Sequence, residues 1–342
     1  MSSHHNVRVG IVGATGYTGM ELVRLIKRHP HAEIAWVTSE TYAGQRLSQV
    51  HPCPYDDVLQ SWDNVSLHGD EVVFLCLPHG ASMSAVRRAY EAGCHVIDLS
   101  ADFRLPDPTV YERWYHTSHQ ATDLLPHAVY GLPEIYRDHI RNARLVANPG
   151  CYPTSVNLAL YPLAKAGLLA PHIIVDSKSG VSGAGRKLKL STHFVEANEN
   201  MSPYSIGYKH RHIAEMEWVL GNAWAGSDAP DITFSPHLLP VNRGILSTIY
   251  VTLTQEVRPD AVHALYAETY QDEPFIHLLP LGEVATLRHT QYTNLCTIGL
   301  VPDRGRRWII TSSIDNLLKG ASGQAVQNMN IMLGFEETEG LT

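Results

Sequence analysis

The chain has 342 residues, of which 44% are hydrophobic and 18% charged, and its formal net charge at pH 7 is -8. This length predicts two domains that can each bury a core without metal or disulfide support, and the composition excludes an intrinsically disordered chain. Since Lys and Arg never form runs longer than a pair, the charge argues against nucleic-acid or membrane partners and favours a small-molecule substrate.

The cysteine content and the N-terminus predict a cytoplasmic protein. Five cysteines without CxxC spacing argue against a disulfide scaffold and a zinc ribbon, so we expect reduced thiols. Residues 1–6 are short and polar and lack the apolar region of a signal peptide. No apolar run approaches the roughly 20 residues of a membrane span.

Strand and helix signals alternate in the first part of the chain. Predicted strands are the apolar runs 7–12, 34–38, 72–77, 95–99 and 144–148, and predicted helices include residues 20–26 and 81–92. Continuous apolar runs are typical of buried parallel strands. Residues 1–149 therefore predict an α/β domain with a doubly wound parallel sheet.

Two regions depart from this alternation. Residues 101–140 are rich in Pro, Tyr, His and Asp, which predicts long loops around a site. Pro149 and Gly150 break the last strand of the first domain, and we place the domain boundary there.

Longer, β-branched strands follow the boundary. They are residues 172–176, 232–234, 247–254, 294–301 and 307–313, with helices at 155–166 and 261–270. Hairpin signals predict a mainly antiparallel sheet in an α+β catalytic and dimerisation domain over residues 150–314. A last helix, roughly 316–333, is expected to carry residues 315–342 back to the first domain.

Three glycines, Gly13, Gly16 and Gly19, lie between the first strand and its helix. A tight turn needs a residue without Cβ, a pyrophosphate needs close backbone approach, and a helix N-terminus offers free N–H groups. The GxxGxxG spacing is one residue longer than the GxGxxG fingerprint. Its place between strand and helix still predicts a Rossmann-type dinucleotide site.

The end of the second strand indicates which dinucleotide binds. NAD-binding domains usually place an acidic residue there to hold the ribose 2′-OH. Here Thr38 and Ser39 come first, Glu40 follows, and Arg46 lies nearby. Hydroxyls and a cation suit a 2′-phosphate that a carboxylate would repel, so we predict NADP, unless Glu40 faces the ribose.

Cys151 is the candidate nucleophile. It follows a strand and the Pro149–Gly150 break, and it precedes Pro153 and a helix. Proline is favoured in a first helical turn, and a thiol at a helix N-terminus has a lowered pKa. The alternative is a small buried residue, as we expect for Cys76, Cys94 and Cys296 within apolar strands.

A thiolate nucleophile needs an acid/base partner, and His210 or His212 is the candidate. Histidine titrates near neutral pH, so either could accept the thiol proton and later protonate an oxyanion. The HxH pair could instead bind zinc, although no third ligand has suitable spacing.

Two segments predict anion binding. Residues 179–187 combine many glycines with Arg186 and Lys187, which suits a phosphate or carboxylate or, alternatively, a solvated linker. Arg104 follows the strand that ends near Ser100, at the sheet edge where α/β folds bind ligands. It could hold a phosphate or pair with Asp102.

Seven blocks of the chain occur in an order typical of one family. They are residues 13–19 (GATGYTG), 98–105 (DLSADFRL), 130–134 (YGLPE), 148–154 (NPGCYPT), 179–186 (SGVSGAGR), 209–215 (KHRHIAE) and 236–244 (PHLLPVNRG). Over nearly its whole length the chain resembles the N-acetyl-γ-glutamyl-phosphate reductases, relatives of aspartate-semialdehyde dehydrogenase. The family usually has proline where Ala214 stands, a difference that we expect to be tolerated.

The resemblance implies an NADPH-dependent enzyme of arginine biosynthesis, a homodimer or homotetramer, in which Cys151 is acylated and His212 is the acid/base. The product would be N-acetyl-glutamate 5-semialdehyde, formed through a thioester, with no metal. Implied cofactor-binding residues are Gly13, Ala14, Thr15, Gly16, Tyr17, Thr18, Gly19, Thr38, Ser39, Arg46, Pro78, Ser182, Gly183 and Asn316. Implied substrate-binding residues are Arg104, Asn148, Ser179, Arg186, His210 and Arg243.

Three alternatives remain open. The same chemistry could act on N-acetyl-aminoadipyl phosphate of lysine biosynthesis, possibly on a carrier protein, since one methylene changes binding by only ~1–3 kcal/mol. The chain could be a non-catalytic NADP-binding redox sensor. It could also be a zinc hydrolase that uses His210 and His212.

Overall fold

The computed structural model describes residues 6–226 and 229–342. Residues 1–5, which form most of the short polar stretch at the N-terminus, lie outside the described residues. The chain divides into two compact units, residues 1–149 with 321–342 (unit 1) and residues 150–320 (unit 2). No helix of the described residues is long and apolar enough to span a membrane.

Unit 1 contains a seven-stranded sheet in which every neighbouring pair is parallel, in the order β3-β2-β1-β4-β5-β7-β6. Its strands are β1 (Val7–Val12), β2 (Ala32–Thr38), β3 (Leu59–Gln60), β4 (Val72–Leu75), β5 (His95–Asp98), β6 (Ala128–Tyr130) and β7 (Leu145–Ala147). All four residues of β4 are fully buried. The predicted doubly wound parallel sheet is confirmed.

Unit 2 contains a second seven-stranded sheet in the order β12-β13-β14-β11-β8-β10-β9. Its strands are β8 (His172–Gly180), β9 (Ser202–Pro203), β10 (Asp231–Leu239), β11 (Ile245–Thr252), β12 (Ile276–Leu278), β13 (Cys296–Pro302) and β14 (Arg307–Ile314). The pairs β8/β10 and β12/β13 are parallel and the remaining pairs antiparallel. The prediction of a mainly antiparallel sheet is confirmed.

The described residues also form ten α-helices. They are α1 (Tyr17–Ile26), α2 (Leu47–Val50), α3 (Met83–Glu91), α4 (Pro108–Tyr115), α5 (Pro133–Arg141), α6 (Cys151–Lys165), α7 (Phe194–Ala197), α8 (His212–Ala223), α9 (Pro259–Thr269) and α10 (Gly323–Leu333).

The prediction of long loops over residues 101–140 is wrong, because this region contains α4, β6, α5 and a 3-10 turn. Asp107, Pro108 and Pro133 lie at helix starts in this region. The Asp107 carboxylate accepts a hydrogen bond from the Thr109 amide at 2.8 Å, and Pro108 and Pro133 occupy first helical positions. Such residues are favoured there since a helix start has unsatisfied N–H groups.

Two helix boundaries also differ from the prediction. Helix α6 begins at Cys151, four residues before the predicted start at 155, because Pro153 fits a first turn in which no N–H is needed. The last helix begins at Gly323, after a π-helical turn at Leu318–Ser322. The segment that rejoins unit 1 starts at Ala321.

Candidate active site

Cys151 is the first residue of α6, and Gly150 is its N-cap with extended backbone (φ -69°, ψ 149°). The thiol is partly buried. N–H groups in a first turn lack partners within the helix and create a partial positive charge, which stabilises a thiolate or a developing oxyanion. The position predicted from the sequence therefore offers a chemical reason for nucleophilicity.

The other cysteines have less suitable surroundings. All five are free thiols. Burial raises the pKa of Cys76 to about 12 and that of Cys94 to about 11, so both remain protonated at neutral pH. Cys296 is fully buried within β13, and Cys53 lies outside any helix start.

The start of α6 is anchored from two sides. The Ser155 hydroxyl forms hydrogen bonds with the hydroxyls of Ser247 on β11 and Ser312 on β14, both at 3.0 Å. The Gly150 amide donates to the carboxylate of Glu215 on α8 at 2.7 Å, and Glu215 is almost completely buried. The backbone beside the thiol is thereby fixed. Glu215 ends the sequence block 209–215, but no pattern in the sequence predicted its hydrogen bond to Gly150.

Glu215 also brings a histidine to this region. His212 is the first residue of α8, and Glu215 lies one turn later on the same helix. The His212 ring centroid lies 5.9 Å from that of Tyr152, the residue after Cys151. The predicted nucleophile and the predicted acid/base thus occupy the first turns of two helices joined by the Glu215–Gly150 hydrogen bond.

His210 lies in an aromatic box beside this junction. Its ring centroid is 4.8 Å from His212, 5.1 Å from Phe234, 5.6 Å from Tyr152 and 5.7 Å from Tyr204. Burial, with a smaller contribution from Arg211, lowers the pKa of His210 to about 4. Its Nδ1 accepts from the His212 amide at 3.2 Å, which leaves Nε2 as the protonated nitrogen of the neutral ring.

Two tyrosines complete the surroundings, and sequence reasoning assigned neither of them a role. The hydroxyls of Tyr152 and Tyr204 are 2.8 Å apart. Burial raises the pKa of both tyrosines, so they remain neutral hydrogen-bonding groups. Within the part of the chain that the structure describes, no three His, Cys, Asp or Glu side chains are grouped to bind a metal ion.

Gly320 permits close packing against the thiol-bearing residue. A Cβ built on Gly320 would lie 2.9 Å from the Cβ of Cys151. Any side chain at position 320 would therefore displace Cys151 or the backbone that follows β14.

The glycine-rich loop 179–187 is more ordered than a solvated linker. The amides of Gly180, Val181 and Ser182 donate to backbone carbonyls of residues 241–244 at 2.9–3.0 Å. These amides are therefore not available to an anion. Arg186 is exposed and Ser179 is buried.

Arg243 lies in the segment 241–244 that bonds to this loop, and Asn316 contacts both the segment and the loop. The Arg243 guanidinium forms a bidentate pair with Asp315, with N–O distances of 3.0 and 2.8 Å. The Asn316 amide oxygen accepts from the Gly244 amide at 2.7 Å, and its nitrogen donates to the Ser182 hydroxyl at 2.9 Å. Asn316 thus binds the loop and lies in unit 2, whereas the predicted return of the chain to the first domain begins at residue 315.

The glycine loop of unit 1 has the geometry that a bound pyrophosphate needs. Gly13 has φ +80°, and a Cβ there would lie 2.6 Å from the Cys76 carbonyl oxygen. At Gly16, the N-cap of α1, a Cβ would meet no described atom of the protein closer than 3.6 Å. The first turn of α1 contains no acidic residue. Its free N–H groups and positive dipole end suit a dinucleotide phosphate.

The end of β2 holds the predicted ribose-side residues. The Thr38 hydroxyl accepts from the Gly13 amide at 3.3 Å, and the hydroxyls of Ser39 and Thr15 are 3.1 Å apart. The Glu40 carboxylate accepts from the Ser61 hydroxyl at 2.9 Å and from the Trp62 amide at 2.8 Å.

Arg46 is exposed and pairs with Asp56 at 3.1 Å. An exposed ion pair of this kind contributes little to stability, about 0–1 kcal/mol, so the arginine can exchange partners at small cost.

The remaining predicted residues of unit 1 make mainly backbone contacts. Arg104 is buried and donates to the carbonyls of Asn148 at 2.7 Å and Leu99 at 2.9 Å. The Asn148 amide nitrogen donates to the Ala321 carbonyl at 3.1 Å. Pro78 is exposed in the turn after β4.

Two contacts to the glycine loop were not predicted from the sequence. The Ser322 hydroxyl donates to the Thr18 carbonyl at 2.8 Å, and His51 Nε2 lies 2.9 Å from the Thr15 carbonyl oxygen. Both bonds join residues far apart in the chain, and no local pattern predicts them.

Comparison with known proteins assigns both units. The chain matches the models "Semialdehyde dehydrogenase, NAD binding domain" over residues 8–143 and "Semialdehyde dehydrogenase, dimerisation domain" over residues 151–316. The N-acetyl-gamma-glutamyl-phosphate reductase of Pelotomaculum thermopropionicum is 50% identical, over 98% of this chain and 97% of the relative. That of Desulfotalea psychrophila is 49% identical, over 98% of each chain.

Solved structures show the same fold. Aspartate semialdehyde dehydrogenase II from Vibrio cholerae matches with a TM-score of 0.75 and 19% identity, over 96% of this chain and 99% of that one. The family predicted from the seven sequence blocks is confirmed by the curated relatives. The chain belongs to the N-acetyl-gamma-glutamyl-phosphate reductase family, and it is an oxidoreductase with a nicotinamide-dinucleotide-binding domain of the semialdehyde dehydrogenase type.

Proposed function

We propose that the chain converts N-acetyl-γ-glutamyl phosphate to N-acetyl-glutamate 5-semialdehyde and phosphate, with NADPH as reductant, through a thioester on Cys151. The observation that carries this proposal is the junction of α6 and α8. A partly buried thiol and a histidine occupy two first turns that the Glu215–Gly150 hydrogen bond joins.

In the first half-reaction His212 accepts the proton of Cys151, and the sulfur attacks the acyl carbon. The carbon–sulfur bond forms as the bond to the phosphate oxygen breaks, and phosphate leaves. N–H groups at the start of α6 stabilise the oxyanion. The thioester divides one difficult reduction into two easier steps.

When bound, NADPH supplies the hydride that reduces the thioester carbonyl. The residues of the chain then move the protons. His212 protonates the developing oxyanion and takes the proton back as the carbon–sulfur bond breaks, which releases the aldehyde and restores Cys151. His210, neutral because of its low pKa, offers Nε2–H as a hydrogen-bond donor to the substrate.

Substrate binding is proposed for three of the predicted residues, which belong to the same unit as Cys151. Ser179, Arg186 and Arg243 belong to unit 2, and Arg243 is oriented by Asp315. Arg104 and Asn148 belong to unit 1, where their side chains bind backbone carbonyls. We expect these two to support the shape of their segment.

Intact-protein mass spectrometry with the acyl phosphate and no NADPH tests the proposal. We expect a mass increase equal to one acyl group in the wild type and none in Cys151→Ala. A Cys151→Ala variant that is still acylated to the same extent would refute the role of this sulfur. Comparing turnover of the glutamyl and aminoadipyl substrates then decides between the two pathways.

NADP is the proposed dinucleotide. The acidic residue that could hold a ribose 2′-OH, Glu40, has both carboxylate oxygens occupied by Ser61 and Trp62. Thr38, Ser39 and Arg46 then suit the 2′-phosphate, whereas Ser182, Gly183 and Asn316 are proposed only on the resemblance. Equal or better kcat/KM with NADH than with NADPH would overturn this choice.

We also propose that the chain forms a homo-oligomer through unit 2. Several large apolar side chains are exposed there over residues 188–208, namely Leu188, Leu190, Phe194, Val195, Met201, Ile206 and Tyr208. An exposed apolar group of this size commonly marks an interface. Light scattering of the purified protein should give a mass of at least two chains.

Reduced thiols, on which the reaction depends, fit a cytoplasmic location.

A further inference from the structure

The Asp102 carboxylate is completely buried and accepts four hydrogen bonds within unit 1. Its Oδ1 accepts from the Gly80 amide and from the Tyr111 hydroxyl, both at 2.7 Å. Its Oδ2 accepts from the amide of Ser82 at 3.2 Å and from its hydroxyl at 2.8 Å. A buried carboxylate is costly unless donors compensate it. Asp102 therefore fixes residues 80–82, which connect β4 to α3.

The region after Asp102 supports this connection. The rings of Tyr111 and Tyr115 on α4 stack at 4.7 Å, and Tyr115 lies 5.5 Å from the ring of His79. His119 Nε2 donates to the Asp102 carbonyl at 2.8 Å. Burial and the Asp102 hydrogen bond raise the pKa of Tyr111, so its hydroxyl remains a donor. Residues 102–119 thus form a support for the turn at residues 78–82.

The segment that leads into the supported turn contacts the glycine loop through Cys76. Strands β1 and β4 are parallel neighbours, and the Cys76 amide donates to the Val12 carbonyl at 2.9 Å. A Cβ on Gly13 would lie 2.6 Å from the Cys76 carbonyl oxygen. The segments after both strands therefore leave the same edge of the sheet in contact. In doubly wound sheets, ligands bind at this edge, where the strand order reverses.

The charge of Asp102 also distinguishes two helix N-termini. Its carboxylate binds the amides of Gly80 and Ser82, at the start of α3, for which Ser82 is the N-cap. A carboxylate at this place compensates the positive end of α3 and occupies the N–H groups of Gly80 and Ser82 that an anion would otherwise bind. The first turn of α1 has no such acid. A dinucleotide phosphate is thereby directed to α1.

We propose that Asp102 is a positioning residue for the dinucleotide: it fixes the turn at residues 78–82, which follows the contact of Cys76 with the glycine loop, and it keeps the start of α3 closed to phosphate. The inference rests on the proposed role of the glycine loop as the dinucleotide site. Residues 102–119 then shape the dinucleotide site through the turn at residues 78–82 and do not contact the reacting atoms.

Asp102→Asn tests this role, because it removes the charge and replaces one acceptor oxygen with a donor that faces other donors. We expect the Kd for NADPH, measured by fluorescence titration, to rise about tenfold or more. Acylation of Cys151 by the acyl phosphate without NADPH should stay within about twofold of wild type, since that step does not need the turn. The matched control is Asp107→Asn, an exposed N-cap on the same segment, which should leave both values unchanged.

Tyr111→Phe removes one donor to Asp102 and keeps the ring stack, so its Kd for NADPH should rise about threefold. It decides the question if Asp102→Asn fails to fold. A folded Asp102→Asn, or in its place Tyr111→Phe, with wild-type NADPH affinity overturns the inference. Acylation slowed as much as NADPH binding is weakened also overturns it, since that result indicates a general loss of structure. Wild-type protein that does not bind NADPH would overturn the proposed function as well, which separates the two failures.

Discussion

The glycine loop of unit 1 and the start of α6 in unit 2 are built alike and used differently. Both are strand-to-helix junctions with a glycine N-cap in extended conformation, Gly16 before α1 and Gly150 before α6. Neither helix has an acidic residue in its first turn. Each junction therefore presents unsatisfied N–H groups and a positive dipole end.

The difference lies in the first helical residue and in what binds the glycine amide. The Gly16 amide bonds to the Gly13 carbonyl within its own loop, so the junction is a backbone surface open to a ligand. The Gly150 amide bonds to the buried Glu215 carboxylate, 65 residues away, and the next side chain is a thiol. In the proposed function, one junction binds an anion through the backbone, whereas the other activates a side chain and needs a distant residue to fix it.

One substitution at each junction should separate dinucleotide binding from the covalent chemistry on Cys151. Cys151→Ala should lower turnover at least about 10⁴-fold, because the covalent step is lost, while NADPH affinity is retained. Gly16→Val should instead weaken NADPH binding and leave acylation intact. Its Cβ has room in the protein but occupies the space that a phosphate needs. Its NADPH affinity should fall about a hundredfold or more while Cys151 is still acylated. Loss of both properties in both variants would show that the junctions are not independent.

Substitution of Gly13 tests whether backbone geometry requires glycine at this position of the loop. Gly13→Ala places a Cβ 2.6 Å from the Cys76 carbonyl oxygen at φ +80°. We expect a loss of about 3 kcal/mol in the free energy of unfolding, from left-handed strain plus a steric clash. Gly44→Ala is the matched control, because Gly44 has φ +86° and no neighbour within 4 Å of such a Cβ. It should lose only about 1 kcal/mol. Equal losses in urea unfolding would remove the clash from the explanation.

Glu215 tests the junction in unit 2. Glu215→Gln keeps the shape but removes the charge that accepts the Gly150 amide. We expect acylation of Cys151 to slow about tenfold, as a charge-assisted hydrogen bond contributes ~1.5–3 kcal/mol. Glu217→Gln, two residues later on α8, is the control, since Glu217 bonds to the exposed Tyr208 hydroxyl. A rate in Glu215→Gln equal to that of the control would mean that the hydrogen bond does not position the thiol.

The sequence predicted features that depend on neighbouring residues and missed those that depend on distant ones. Continuous apolar runs predicted the parallel strands of unit 1 because burial on both faces leaves no room for alternation. Glycine and proline around Cys151 indicated a nearby helix start, and α6 begins at this residue. Asp107 and Pro108 gave the same kind of signal for α4, but the polar composition around them predicted loops. The bonds of Glu215 to Gly150 and of Ser322 to Thr18 form only in the folded chain.

His210 gives the smallest expected effect and the clearest test of the aromatic box in unit 2. Burial lowers its pKa to about 4 in the folded chain, from the ordinary histidine value of 6.5. The unfolded chain therefore binds more protons between these values, so stability falls as the pH falls from 6.5 towards 4. This group should account for a loss of about 1 kcal/mol between pH 7 and pH 5.5. Urea unfolding of the wild type and of His210→Gln at several pH values isolates the contribution, since glutamine does not titrate. Parallel pH dependence in the two proteins would mean that His210 titrates normally, and it could then compete with His212 as the acid/base.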